Sequence, residues 1–280
     1  MSDSTSPTPS PIKKKSKRNL IVAAVAVVVV VALVAVVLLG GFLNNSNSEE
    51  TNALEKVKER GKLIVGTNVP WEPFEFYNIT SGQYEGFDMD VIRGVAQSIG
   101  VDIEFRSMEF ESLIGAVQTG QIDVAISSIT IRPDRAESVD FSTPYYVADQ
   151  AVLVHDDSTI ANSDDLNGTK ISAQLGTTGA IWIDENLDAT SVKYDTIVSA
   201  VLVVENQQEN IKACILDTPV ANRYAADPNY HLKVAFVIPT NEQYGIACAK
   251  GETELVAAID DAINAMKADG SLDTMLDKWV

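Results

Sequence analysis

Two charged residues at the ends of short motifs could hold the two ends of a small zwitterion. Arg135 ends the polar segment 127–135, and Asp217 ends an apolar run before Thr218. A guanidinium pairs with a carboxylate through two parallel hydrogen bonds, and a carboxylate accepts hydrogen bonds from an ammonium group. Arg132 is a second candidate for the cation. A solvated surface position is the ordinary alternative for either arginine, and a helix N-cap is the ordinary alternative for Asp217.

Two further motifs offer an apolar wall and an anion-binding turn. In segment 67–76, Pro70 and Pro73 stiffen a loop in which Trp71 forms either the wall of a pocket or a buried anchor. The Gly-Thr-Thr-Gly motif at 176–179 precedes a predicted helix, so its backbone N–H groups and hydroxyls could bind an anion. A threonine N-cap explains this motif equally well. The residues alone leave these alternatives open.

The composition excludes several classes of function. The chain has 280 residues, 46% of them hydrophobic, and a formal net charge of -18. The basic residues before residue 20 outnumber the single acid there, so the rest of the chain is more acidic than the total indicates. A surface of this charge repels phosphate backbones, and we therefore expect no binding to nucleic acid.

The cysteines and histidines lack the spacing of a metal site. Cys214 and Cys248 form no CxxC motif, and His155 and His231 form no HExxH motif. We therefore expect no metal, no other cofactor and no catalytic residue.

The sequence before residue 56 predicts a membrane anchor. Residues 1–19 predict a disordered basic cytoplasmic tail, and the uncharged residues 20–42 are long enough to span about 30 Å of hydrocarbon as a helix. A cleavage site of small residues and a lipoprotein cysteine are both missing, which favours an uncleaved anchor. The positive-inside rule then places a flexible tether (43–55) and all that follows on the extracytoplasmic face of the cell membrane.

Beyond residue 55 the hydrophobic pattern alternates between strand and helix. Strands are predicted at 62–67, 101–105 and 124–126, and the helices between them end at Gly100 and Gly120. This order predicts a parallel sheet with right-handed crossovers, in which ligands bind at the carboxyl ends of the strands.

A second cycle of strands and helices predicts a second lobe. Its strands are predicted at 170–173, 192–194 and 212–216, after which the chain returns to the first lobe through 244–249 and two closing helices. Two crossings between lobes would form a hinge. By residue number, the predicted lobes are lobe 1 over 56–147 and 240–280, and lobe 2 over 148–239.

Seven short motifs follow one another in the order and spacing of a known family. They are 66–76, 86–90, 118–123, 129–135, 139–142, 175–178 and 244–246. Over residues 63–279 the chain resembles the polar amino-acid branch of the extracytoplasmic solute-binding proteins of ABC importers, called family 3. The resemblance implies an α/β fold of the two-lobed periplasmic-binding-protein-like type II. Each lobe would be a mostly parallel sheet flanked by helices, here preceded by one transmembrane helix.

The resemblance also implies a ligand site between the lobes. In that family two aromatic residues clamp the ligand, an arginine binds its α-carboxylate, and an aspartate of the other lobe binds its α-amino group. The positions that match these roles are, in the same order, Trp71 and Phe110, Arg135, and Asp217. The residues expected to add hydrogen bonds are Ser128 and Thr130 from lobe 1, and Thr177 and Thr178 from lobe 2. Arg132 is expected to lie outside the pocket.

Three positions bear on the side chain of the ligand. Relatives that bind basic amino acids carry an aspartate at the position of Asn68, and glutamine binders carry a lysine near Gln174. The amides at Asn68 and Gln174 favour a neutral polar amino acid, whereas Glu72 would favour a cation if it faced the pocket.

The sequence thus predicts a monomeric, membrane-anchored receptor that binds a free amino acid and delivers it to ABC permease subunits. A dehydratase on the same fold is one alternative, but it would need a general acid in the cleft, for which Glu72 is the only further carboxylate. A ligand-sensing subunit of a signalling receptor is the other, although no kinase or cyclase segment follows the lobes. We predict a binding protein and not an enzyme.

Overall fold

The computed structural model describes residues 52–280. The predicted cytoplasmic tail, the predicted membrane anchor and residues 43–51 of the predicted tether lie outside the described residues. Within 52–280, none of the helices combines the length and the apolar composition that crossing a membrane requires. At the end of the predicted tether, residues 53–55 form the start of the first helix, and Asn52 is its N-cap, whose Oδ1 accepts a 2.9 Å hydrogen bond from the N–H of Glu55.

The described residues contain twelve strands, which we number in chain order. They are β1 (Lys62–Thr67), β2 (Phe76–Asn78), β3 (Gln83–Glu85), β4 (Asp102–Ser107), β5 (Val124–Ala125), β6 (Val139–Phe141), β7 (Tyr146–His155), β8 (Lys170–Gln174), β9 (Thr190–Tyr194), β10 (Ile211–Asp217), β11 (Leu232–Tyr244) and β12 (Ala247–Ala249). Each predicted strand corresponds to one of these strands, and no predicted bound differs from the observed one by more than two residues.

The same part of the chain contains nine α-helices. They are α1 (Ala53–Arg60), α2 (Phe87–Ile99), α3 (Leu113–Gln118), α4 (Pro133–Ala136), α5 (Thr178–Asn186), α6 (Ile197–Glu205), α7 (Thr218–Ala226), α8 (Thr253–Asp269) and α9 (Ser271–Trp279). A 3-10 turn at Phe110–Ser112 precedes α3.

The first sheet has the strand order β4-β1-β5-β12-β6. In this sheet β1 runs parallel to β4 and β5, whereas β12 runs antiparallel to β5 and β6. Because β12 comes late in the chain, the polypeptide returns to this sheet after building the second, as the sequence predicts.

The second sheet has the strand order β11-β7-β10-β8-β9. Here β8 runs parallel to β9 and β10, whereas β7 runs antiparallel to β10 and β11. Both sheets are therefore mixed, with two parallel and two antiparallel pairings each. A parallel sheet must be covered by helices on its faces, which accounts for the alternation of strand and helix along the chain.

Two long strands, β7 and β11, connect the sheets. They pair antiparallel from His155 and Leu232 to Tyr146 and Tyr244. Tyr244 also forms a bridge with Thr130, which follows β5 of the first sheet. The predicted crossings after residues 147 and 239 fall within these two strands, and the division into lobes at those residues stays a prediction.

Helix α2 illustrates how the sequence builds the supporting layer. Val91, Ile92 and Val95 recur on one face and are fully buried, as the helical period predicts. The helix ends at Gly100, whose φ of 84° lies in the left-handed region that favours glycine. At the end of α9, Trp279 Nε1 donates a 2.7 Å hydrogen bond to Asp90 Oδ2 of α2, which ties the closing helices to this layer.

Candidate ligand-binding site

One cavity lies between residues of the two sheets. It is lined by Asn68, Trp71, Phe110, Ser127, Ser128, Thr130, Arg135, Gln174, Thr177, Thr178 and Asp217. The structure therefore brings together all ten residues that the sequence predicts for the site, and adds Ser127.

The lining residues come from the carboxyl ends of strands in both sheets. Asn68 directly follows β1, and the run of hydroxyl residues from Ser127 to Thr130 follows β5. From the second sheet, Gln174 ends β8 and Asp217 ends β10. Carboxyl ends of neighbouring parallel strands meet at one edge of a sheet, so each sheet contributes one such edge to the cavity.

Arg135 lies on the short helix α4 and points towards the second sheet. Pro133 is the first residue of α4, as the sequence predicts. The guanidinium donates 2.9 Å hydrogen bonds to the carbonyls of Thr130 and Gly176, and its Cζ lies 5.5 Å from the centre of the Phe110 ring. Burial lowers the pKa of Arg135 to about 10, so the side chain keeps its positive charge at neutral pH. The alternative of a solvated surface arginine is therefore wrong.

Asp217 occupies the N-cap position of α7, but its side chain makes no capping hydrogen bond. Instead, the carboxylate accepts hydrogen bonds from Gln150 Nε2 and Tyr244 OH. Only 5% of the residue is exposed, and burial, assisted by the negative charge of Glu242, raises the pKa of Asp217 to about 7. The N-cap alternative is wrong for the side chain, which is directed away from the helix by its two donors.

The sequence left open whether the motif at 176–179 caps a helix or lines the site, and Thr177 and Thr178 differ in this respect. Thr177 Oγ1 accepts a 3.4 Å hydrogen bond from the N–H of Ala180 and so caps α5. Thr178 Oγ1 instead accepts a 3.2 Å hydrogen bond from Gln150 Nε2, the same nitrogen that contacts Asp217. Both threonines line the cavity at the start of a helix, where backbone N–H groups and the helix dipole favour an anion.

Gly179 permits the start of α5 to approach β10 closely. A Cβ atom at this position would lie 2.7 Å from the carbonyl oxygen of Ile215 and 3.0 Å from Gln150 Oε1. Because such distances are shorter than real side chains tolerate, a larger residue would push α5 away from the cavity.

The aromatic walls differ in burial. Trp71 is 7% exposed and belongs to the hydrophobic core while also lining the cavity, so both interpretations of this residue apply. Phe110 is half-buried and lies under the Arg135 guanidinium, where its ring stabilises the positive charge.

An amide pair joins the two sheets at one end of the cavity. Gln174 Nε2 donates a 2.8 Å hydrogen bond to Asn68 Oδ1 and a 3.0 Å hydrogen bond to the carbonyl of Asp195. Asn68 Nδ2 in turn donates to the carbonyl of Met108 at 2.8 Å. The two positions that sequence comparison selects for ligand specificity are therefore in direct contact.

Glu72 and Arg132 lie away from the cavity. Glu72 does not line it and instead pairs at the surface with Arg223 of α7, at 3.1 Å between Oε2 and Nε. The alternative in which Glu72 faces the pocket and favours a cation is therefore wrong. Arg132 pairs with Asp134 at 3.0 Å and lies outside the lining set, as expected.

Sequence reasoning missed the layer of polar residues beneath the cavity. Ser127 Oγ accepts from the N–H of Asn68 at 3.0 Å and donates to Glu75 Oε1 at 2.6 Å, and the N–H of Ser128 donates to Asp88 Oδ2 at 2.7 Å. Glu75 and Asp88 are fully buried. Burial raises the pKa of Asp88 to about 7, and burial together with the neighbouring Asp88 charge raises the pKa of Glu75 well above its usual value. The sequence signal that could have identified Glu75 and Asp88 is a carboxylate within an otherwise apolar segment.

Comparison with known families matches residues 63–280 to the bacterial extracellular solute-binding proteins, family 3. The chain belongs to this family. The match confirms the resemblance carried by the seven motifs, and the family is extracytoplasmic.

Two relatives of the chain are amino-acid-binding proteins. The L-cystine-binding protein of Escherichia coli K12 is 31% identical over 229 residues, which cover 81% of this chain and 85% of the relative. The glutamine-binding protein of an ABC transporter of Bacillus subtilis is 30% identical over 241 residues, which cover 84% and 87%. These family members bind solutes and are not enzymes, in agreement with the prediction for this chain.

A solved structure supports the architecture. A variant of ArgBP from T. maritima matches with a TM-score of 0.76 and 33% identity, covering 81% of this chain and 98% of that protein. The similarity confirms the predicted periplasmic-binding-protein-like fold. Because the names of these three proteins refer to different amino acids, membership of the family does not select a ligand.

Proposed function

We propose that this chain captures a free amino acid as a zwitterion between its two lobes. The observation that supports the proposal is that Arg135 and Asp217, from different sheets, line the same buried cavity. In this function Arg135 binds the α-carboxylate, and Asp217 binds the α-ammonium group. A cation next to Asp217 removes the cost of its buried charge, so ligand binding and ionisation of Asp217 favour each other.

The other lining residues complete the contacts with the ligand. Ser128 and Thr130 donate or accept hydrogen bonds from the first sheet, and Thr177 and Thr178 do so from the second. The aromatic rings of Trp71 and Phe110 cover the apolar part of the ligand. Asn68 and Gln174 face the end of its side chain, and their uncharged amides favour a neutral polar amino acid.

Binding closes the hinge between the lobes predicted at 56–147 with 240–280 and at 148–239. A ligand drives closure only if it interacts more favourably with the closed form, and contacts to both lobes provide this difference. Arg135 and Asp217 supply one contact from each side. The closed protein then delivers the amino acid to ABC permease subunits as a monomer.

Residues 20–42 anchor the receptor in the cell membrane and place the lobes on the extracytoplasmic face. Extraction of bacterial membranes with alkaline carbonate tests the anchor, because a spanning helix keeps the chain in the pellet whereas a peripheral protein is released. Release of the chain would reject the anchor but would not bear on the proposed binding site.

A thermal-shift screen of the full chain in detergent against the common amino acids tests the binding function. A ligand that binds only the folded state stabilises it by about 2.7 kcal/mol at a hundredfold excess over its dissociation constant. We expect a hit among the neutral polar amino acids that disappears in Arg135→Ala and Asp217→Ala. Stabilisation that persists in both variants would place the site elsewhere.

A further inference from the structure

We propose that Gln174 meets the side chain of the bound amino acid with its carbonyl oxygen alone. This end of the cavity therefore selects a ligand side chain that ends in an uncharged N–H donor, such as a carboxamide, over one that ends in a carboxylate. The inference rests on the proposed function and specifies the class of ligand.

Backbone carbonyls determine the orientation of both amides in the pair. The nitrogen of Gln174 lies 3.0 Å from the carbonyl oxygen of Asp195, and that of Asn68 lies 2.8 Å from the carbonyl oxygen of Met108. A carbonyl oxygen only accepts hydrogen bonds, so the amide atom that faces it is the nitrogen. Turning either amide over would place two oxygen atoms against each other.

The nitrogen of Gln174 is fully used by the protein. Its two N–H groups have two acceptors, the carbonyl of Asp195 and Oδ1 of Asn68. Its oxygen, Oε1, is buried and has no hydrogen-bond partner among residues 52–280. A buried acceptor without a partner is unfavourable, and a ligand that donates a hydrogen bond to it relieves that cost.

The remaining lining residues supply no charge that could compensate a charged side chain. Arg135 and Asp217 are the charged residues in the described lining, and the α-carboxylate and α-ammonium group use both. Glu242 adds further negative potential, because it accepts a 2.7 Å hydrogen bond from Thr130 and raises the pKa of Asp217. A second carboxylate on the ligand would be buried facing an acceptor oxygen, and a cationic side chain would lack an anion at this end.

Glutamine and glutamate form the matched pair of ligands that tests the inference. They have the same length, and they differ in whether the end of the side chain donates N–H hydrogen bonds or carries a negative charge. Titration calorimetry of the full chain in detergent at pH 7.5 should give at least about 100-fold tighter binding for glutamine. Equal or tighter binding of glutamate would overturn the inference while leaving the amino-acid-binding function intact. Absence of binding by every common amino acid would instead reject the proposed function.

Gln174→Met removes the carbonyl oxygen together with the amide nitrogen that donates to Asn68 and Asp195, and keeps an unbranched side chain of similar length. We expect glutamine to bind at least about tenfold more weakly to this variant, whereas glutamate and methionine, which donate no N–H hydrogen bond at this end, should lose no affinity. Gln97→Met, at an exposed position of α2, is the control and should behave as the wild type. An equal loss of affinity for all three ligands in Gln174→Met would show a general effect on the cavity and overturn the selective role.

Discussion

Arg135 Nη2 donates a 2.9 Å hydrogen bond to the backbone carbonyl of Gly176. Arg135 follows β5 of the first sheet, and Gly176 follows β8 of the second, so this bond crosses the cleft. The acceptors of the Arg135 guanidinium are neutral carbonyls, and Arg135 forms no salt bridge with any described residue. The positive charge thus remains available to a ligand carboxylate while the guanidinium is held in place by the protein.

Replacing Arg135 by alanine should weaken amino-acid binding by about 3 kcal/mol, or more than 100-fold, because the ligand carboxylate would be buried without its cation. Calorimetric titration of the ligand found in the screen measures this loss. Arg132→Ala is the matched control, since Arg132 pairs with Asp134 at the surface and should change affinity less than threefold. Similar losses in both variants would contradict the assignment of the carboxylate to Arg135.

Asp217→Asn should lower the affinity for zwitterions at least 100-fold while preserving the fold, because asparagine has the same shape and keeps one acceptor oxygen. The measurement is the dissociation constant at pH 8, where the wild-type aspartate is mostly ionised given its pKa of about 7. Between pH 6 and pH 8 the affinity of the wild type should rise, as the carboxylate loses its proton. A variant that retains both affinity and pH dependence would show that another group binds the ammonium.

The unliganded protein should lose stability as pH rises from about 4 to about 7. Burial raises the pKa of Asp217 from 3.8 to about 7, so in this window the folded state holds a proton that the unfolded state has released. The stabilisation is fully present below the unfolded pKa and is lost as pH rises through the folded pKa. Asp217→Asn should remove this part of the slope and be the more stable protein at pH 8, by at most roughly 4 kcal/mol.

Urea unfolding at several pH values measures that difference. Comparison with the wild type cancels the contributions of all other carboxylates, and Asp102→Asn, at an exposed position of β4, is the control. If the free energy of unfolding of Asp217→Asn varies with pH as steeply as that of the wild type, the pKa of Asp217 is not raised in the folded protein.

Glu75→Gln should preserve stability within about 1 kcal/mol, whereas Glu75→Ala should cost about 3 kcal/mol. Burial, together with the neighbouring Asp88 carboxylate, raises the pKa of Glu75 well above its usual range and so favours the neutral form, and an uncharged glutamine keeps an oxygen that can accept the 2.6 Å hydrogen bond from Ser127. Alanine removes the acceptor of the Ser127 hydroxyl and leaves a void at a fully buried position. Urea unfolding at pH 7 distinguishes the two variants, and equal destabilisation would indicate that Glu75 is ionised instead.

The surface pair between Glu72 and Arg223 should contribute little to ligand binding. Both side chains are exposed, and such pairs are worth about 0 to 1 kcal/mol. Glu72→Gln should therefore leave the dissociation constant within about threefold and the order of ligand preference unchanged in calorimetry. A change in preference would restore the idea that Glu72 faces the ligand.

The sequence by itself determined the alternation of strands and helices and the location of the site residues. Strand β1 occupies the predicted positions Lys62–Thr67, and the predicted site residues all line the cavity. The alternation is a local property, because hydrophobic periodicity marks strands and helices, and the order and spacing of the seven motifs carry the family resemblance that assigned the site residues.

Only the tertiary structure decided which contacts those residues make. Whether Asp217 caps α7 or enters the cavity depends on Gln150 and Tyr244, which lie far away in sequence and supply its donors. The antiparallel pairing of β12 and the contact of Gln174 with Asn68 likewise depend on segments that meet only after the chain has returned to the first sheet. The direction of a hydrogen bond and the pKa of a buried acid are set by such non-local neighbours, and residue type and spacing do not encode them.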